Sequence, residues 1–273
     1  MLKVRVIPVL LLRHWGLEKS VKFANPKYVG CPINAARVFN RHCVDELMLL
    51  DIVATEEKRA PQIDVVSQIA KETGMPFTVG GGIRNIRTIR ELLCSGADKV
   101  VINTGAVEIP GLVEEASRTF GRQCIVVSID AREVDRNKYE VFTHGGKCAT
   151  GLTPVELAKR VEDEGAGEIL ITSIDRDGMM EGYDLRLINL ISEAVSIPVI
   201  ACGGAGSVKD LADAFYNAGA SAVAGGAFFL FYGPRRTVLI TYPSEGELRE
   251  YFNSEHVRVR DQRTNIKTEL ARL

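Results

Sequence analysis

The chain has almost no net charge, because 34 Lys and Arg residues balance 35 Asp and Glu residues. A formal charge of −1 gives no global attraction to nucleic acid or to an anionic membrane surface. Cysteine patterning is missing too. Cys31, Cys43, Cys94, Cys124, Cys148 and Cys202 form no CxxC pair and have no His partners at zinc spacing, so they read as reduced thiols. No metal and no cofactor is expected. The apolar run RVIPVLLL is too short to span a membrane, and the charged RHWGLEK after it is no cleavage site. These absences point to a soluble cytoplasmic protein with no membrane insertion. With 273 residues and 46% hydrophobic content, it has enough material for one large domain or two small ones.

What is present is an alternation. Short apolar runs, expected to be strands, lie at 4–11, 46–52, 77–79, 99–102, 125–129, 168–173, 199–201 and 222–224. Between them stand amphipathic stretches such as PQIDVVSQIAKETG, NIRTIRELLCSG, PVELAKRVEDEG and VKDLADAFYNAG, with apolar residues at helical spacing. Strands buried on both faces read as continuous Val, Ile and Leu runs, as these do. The pattern predicts an α/β fold, a (β/α)8 TIM barrel over 1–242, followed by a charged C-terminal helix or tail over 243–273. A flavodoxin-like sheet is the alternative.

The chain also repeats itself. PFTVGGG at 76–82 matches PVIACGG at 198–204, and DELMLLDI at 45–52 matches GEILITSI at 167–174 with the same displacement. GADKVVINTGA matches GASAVAGGAFF after a slip of one residue. Two half-barrels fused in tandem account for this.

In such a barrel the active site lies at the C-terminal ends of the strands. Gly81 and Gly82, then Gly203 and Gly204, fall there in matching halves, with Asn103 and Thr104 after strand 4 and Gly225 and Gly226 after strand 8. Glycines let backbone amides approach an anion closely, so two related sites suggest a ligand with a phosphate at each end. Tight turns are the plainer reading. Asp51, Asp130, Asp175 and Asp177 share this face. Asp130 ends the run CIVVSIDAR and is placed for general acid or base work, or equally for anchoring a loop. Its counterpart strand, RVIPVLLLR, offers Leu11 instead.

At the opposite ends, Arg5, Glu46, Lys99 and Glu168 each begin an apolar strand. Four charges of two signs there must pair. From spacing alone this is a structural salt-bridge plug; a gate for a small molecule is the other reading.

FTVGGGI, ADKVVINT, LLDI, VVSIDAR, GAGEILITSIDRDG and ACGGAG resemble the HisF family, the cyclase subunit of imidazole glycerol phosphate synthase, over about residues 3 to 230. The resemblance implies a HisH-type glutaminase as heterodimer partner and a phosphorylated ligand at the top. It makes Arg5, Glu46, Lys99 and Glu168 the ammonia gate and places Asp98 near the glutaminase interface. It assigns Gly81, Gly82, Asn103 and Thr104 to one phosphate, and Asp177, Gly178, Gly203, Gly204 and Gly226 to the other, with Gly226 where the family usually has serine. Lys19 matches a lysine of the mobile first loop. Asp130 matches one of two essential acid/base aspartates, but Leu11 stands where the other belongs.

A narrower resemblance fits these departures. LLLRHWGLEKSVKFANPKYVGCPINA and YGPRRTVLITYP are similar to HisF-like proteins of surface-polysaccharide clusters, associated with acetamidino sugars of lipopolysaccharide O-antigen. This implies ammonia supply to a separate ATP-using sugar amidotransferase, with cyclisation weak or lost. A true histidine-pathway cyclase and a non-catalytic activator of the glutaminase are the alternatives.

Overall fold

The computed structural model describes residues 4–252. Eight parallel strands close into a barrel: β1 (Arg5–Arg13), β2 (Leu47–Asp51), β3 (Phe77–Gly80), β4 (Lys99–Ile102), β5 (Ile125–Asp135), β6 (Glu168–Ser173), β7 (Val199–Cys202) and β8 (Ala222–Gly225). Neighbours pair in chain order, β8 returns to β1, and the ring is complete. All eight expected strands form, and the closed ring rules out the open flavodoxin-like sheet.

Helices lie between the strands, among them α1 (Pro32–Arg41), α2 (Ile63–Ala70), α3 (Ile86–Cys94), α4 (Leu112–Phe120), α5 (Pro154–Asp163), α6 (Leu185–Ser192) and α7 (Val208–Ala218). Their starts follow local chemistry. Asn85 accepts from the Thr88 amide at the head of α3, and Ser207 from the Asp210 amide at the head of α7. Thr153 and Glu156 form a reciprocal capping box at α5.

Alternate residues of each strand face opposite ways. In β1, Val6, Leu10 and Leu12 join the outer core beneath the helices, while Ile7 and Val9 join Met48, Val126, Leu170 and Ile200 inside the barrel. The repeat is visible in the ladders. Leu47 pairs with Phe77, and their equivalents Ile169 and Val199 pair in the same way.

Three features were not read from the sequence. A hairpin of Gly16–Val21 and Ala24–Gly30 continues antiparallel from β1. Strand β5 runs on to Asp135, beyond the expected stop at residue 129, because Lys138–Thr143 folds back on it. A short hairpin, Phe231–Tyr232 with Thr237–Val238, follows β8. A last helix, α8 (Glu245–Phe252), packs on α7, and Tyr216 donates to the Phe252 carbonyl at 2.7 Å. The rest of the charged tail, 253–273, lies outside the described residues. Among the described residues no helix is long and apolar enough to cross a membrane.

Candidate functional site

The C-terminal ends of the strands surround a cavity of about 380 Å³. Its deep wall is apolar, made by Val9, Leu11, Leu50, Val101 and Cys202. Burial pushes the Cys202 thiol up to about 12, so it is a neutral wall group.

Asp130 is the acid set into this wall. It stands two residues after Ser128, so both side chains point inward, and the Ser128 hydroxyl donates to its carboxylate at 3.2 Å. The Asn103 amide donates to the other oxygen at 3.3 Å. Burial dominates: it raises the carboxyl to about 7, with the charge of Asp177 adding, against the opposing hydrogen bonds of Ser128 and Thr172. Such a group exchanges a proton near neutrality.

Leu11 occupies the corresponding place in the other half. Leu11 pairs across the ladder with Leu50, and Asp130 pairs with Thr172, the repeat equivalent of Leu50. Both line the cavity.

Gly81, Gly82, Asn103 and Thr104 line one end of the cavity. Gly81 has φ +109°, and a Cβ there would lie 2.2 Å from the Asp51 carbonyl oxygen, so only glycine fits the turn. Asp51 holds the loop after β2, accepting from the Ala54 amide at 3.1 Å and pairing with Arg59 at 2.6 Å. Thr104 is buried; its hydroxyl donates to the Asn103 side chain and accepts from the His144 amide at 3.1 Å. Arg84, His144 and Lys147 stand at the mouth of this end.

The other end is arranged differently. Lys19 and Asp177 form a buried ion pair at 2.6 Å, and both line the cavity with Gly226. Gly178, Gly203 and Gly204 are buried outside the lining. Asp175 turns away and accepts from the Glu133 amide at 2.9 Å, a loop anchor. His14 sits exposed at the hairpin tip, 3.6 Å from Glu57, and does not line the cavity.

At the floor, Arg5, Glu46, Lys99 and Glu168 close into one network. Arg5 meets Glu46 at 2.6 Å and Glu168 at 2.8 Å, while Lys99 meets them at 3.0 and 3.2 Å. Burial lowers the Arg5 pKa, but the two carboxylates outweigh it and raise it above its ordinary value. Glu46, only 1% exposed, also accepts from the Thr78 hydroxyl at 2.7 Å, so both its oxygens are engaged. Thr78 was not foreseen, although it sits inward on β3 beside Lys99 in the ladder. Asp98 lies exposed at this end and accepts from the Phe77 amide at 2.8 Å. A second anchor here was also missed: Asp45 accepts from the Val6 amide at 3.0 Å and from the Tyr242 phenol at 3.4 Å. Among the described residues no cluster of His, Cys, Asp or Glu could hold a metal ion.

Comparison with known proteins places this architecture. A family model described as "Histidine biosynthesis protein" matches residues 5–233. A protein of Leptospira interrogans, provisionally named imidazole glycerol phosphate synthase subunit HisF, is 41% identical over 253 residues, covering 92% of this chain and all of its own length. The chain belongs to the HisF family. A Pseudomonas aeruginosa relative, provisionally named imidazole glycerol phosphate synthase subunit hisF2, is 45% identical over 248 residues, covering 91% of this chain and 99% of the relative. This HisF-family barrel therefore holds one titratable carboxylate and one leucine at equivalent inward positions, above a closed ring of four charges.

Proposed function

We propose that this barrel conducts ammonia for a glutamine amidotransferase complex and has little or no cyclase activity. In this reading a HisH-like glutaminase docks on the floor beside Asp98, and ammonia passes Arg5, Glu46, Lys99 and Glu168. An ATP-dependent amidotransferase then uses it to amidate a sugar, giving an acetamidino sugar of surface polysaccharide. The complex works in the cytoplasm.

The observation that carries this reading is Leu11. A leucine neither donates nor accepts a proton, and losing a well-placed acid/base group costs roughly 10²–10⁴-fold in rate. Yet the floor network stays complete, and the interior above it is lined by Ile7, Met48, Val126, Leu170 and Ile200. An apolar interior favours neutral ammonia over ammonium, whose burial without a partner is very costly. The floor charges and the apolar interior support conduction, while Leu11 halves the catalytic pair that the family resemblance implies.

A second reading, cyclisation in histidine biosynthesis, is favoured by Asp130, whose carboxyl titrates near neutrality, and by the provisional names of the relatives. A third, activation of the glutaminase by a non-conducting scaffold, is separated by experiment. The barrel is assembled with its glutaminase and fed ¹⁵N-glutamine in excess unlabelled ammonium. If Lys99→Met or Arg5→Met changes the labelled fraction delivered without changing glutaminase binding, the barrel conducts. No effect from substituting any of the four gate residues contradicts conduction and leaves the scaffold.

A further inference from the structure

The two ends of the upper cavity are not alike. We infer that the cavity takes a ligand with a single anionic end, a phosphate monoester whose remainder is uncharged, rather than a bisphosphate. This rests on reading Gly81, Gly82, Asn103 and Thr104 as the loop that holds a phosphate.

The far end is shut by the chain itself. The first-loop hairpin lies against the segment after β6. The Lys22 amide donates to the Asp177 carbonyl at 2.8 Å, and a Cβ on Gly178 would come within 2.3 Å of the Ser20 carbonyl oxygen. Gly203 and Gly204 are buried and do not line the cavity, whereas Gly81 and Gly82 at the open end do. Charge agrees with shape. The Lys19 ammonium lines this end, and it is already committed to Asp177, with Lys19 4% and Asp177 7% exposed. A second phosphate would be buried beside a carboxylate whose balancing cation is used, a costly arrangement. Gly226 makes room for this closure: a Cβ there would stand 3.0 Å from Lys19 Cε.

Between the ends the wall is apolar, with Leu11 and Leu50 side by side in the ladder. An uncharged ligand body fits against it. At the open end Arg84 and Lys147 are 44% and 63% exposed in ion pairs with Glu108 and Glu56, and can turn toward an incoming phosphate.

The test is calorimetric titration of the full chain with ribose 5-phosphate and with ribulose 1,5-bisphosphate. The wild type should bind the bisphosphate no more tightly than the monophosphate, because only one phosphate finds donors and the other meets the Asp177 end. Asp177→Asn removes the carboxylate and frees the Lys19 ammonium. It should bind the bisphosphate about tenfold or more tighter than the wild type does, with little change for the monophosphate. A wild type that prefers the bisphosphate by about tenfold or more overturns the inference, and that comparison stands even if the variant does not fold. Asn103→Asp tests the loop separately. Loss of monophosphate binding supports it. Unchanged binding shows that the phosphate reading is wrong, and no binding of either sugar by the wild type overturns both.

Discussion

Leu11 and Asp130 hold equivalent places in the two halves of the barrel: Leu11 pairs with Leu50, and Asp130 pairs with Thr172, the repeat equivalent of Leu50. One place carries a carboxyl that titrates near neutrality and the other carries no titratable group. The symmetry of the backbone is kept while the symmetry of the chemistry is broken.

Asp130 makes stability depend on pH. Its folded pKa, about 7, lies above its ordinary value of 3.8, so the folded state binds the proton more tightly. The stabilisation is therefore fully present below the ordinary carboxylate range and is lost as pH rises through about 7. Relative to Asp130→Asn, the wild type should lose about 2–3 kcal/mol between about pH 5 and 8 in urea unfolding. Carbon-13 NMR of the labelled carboxyl should give an apparent pKa near 7. A midpoint near 4 would contradict the burial assigned to it.

The floor network should be a stability element. Arg5→Ala leaves Glu46 and Glu168 with only Lys99 between them, apart from the Thr78 hydroxyl on Glu46. Urea unfolding should show a loss of about 2–4 kcal/mol, towards the lower side of a fully buried pair because Arg5 is partly exposed. Lys99→Met, which leaves both Arg5 ion pairs in place, should cost less. Equal costs would mean that the ring does not centre on Arg5.

Gly226 should tolerate serine, but the first loop should feel it. The Gly226 backbone needs no positive φ, and the obstacle is the Lys19 tail, with Val9 O 3.3 Å away. A flexible lysine can give by a few tenths of an ångström, so Gly226→Ser should fold with a loss of about 1 kcal/mol. Amides of the Gly16–Gly30 hairpin should exchange faster, because the Lys19–Asp177 pair is loosened. Exchange unchanged from the wild type would show that the pair does not hold the hairpin.

The barrel was legible because its strands are buried on both faces and so stand out as apolar runs, and because the halves repeat. The floor charges were legible because each opens such a run. The hairpins were not. GLEKSV and ANPKYVG carry few apolar residues, and their pairing depends on the body they lie against. Lys138–Thr143 does carry a strand pattern, in Tyr139, Val141 and Phe142, that went unread, so β5 was expected to end too soon. Among the acids of the upper face, Asp51 and Asp175 are loop anchors. The contact of the first-loop hairpin with Gly178 was invisible, because Ser20 is distant in sequence. Ser128 and Thr172 could have been found by counting alternate residues along β5 and across to β6.

The most direct test is turnover of the histidine-pathway bisphosphate by the barrel alone with excess ammonium salt, comparing the wild type with Leu11→Asp. Ammonium salt bypasses the glutaminase, so only the chemistry of the upper cavity is measured. The wild type should show no turnover above background, with activity appearing in Leu11→Asp, or in Leu11→Asp combined with Asp177→Asn if the closed end also excludes the bisphosphate. Robust turnover by the wild type would contradict that expectation and make this barrel a cyclase that works without the second aspartate.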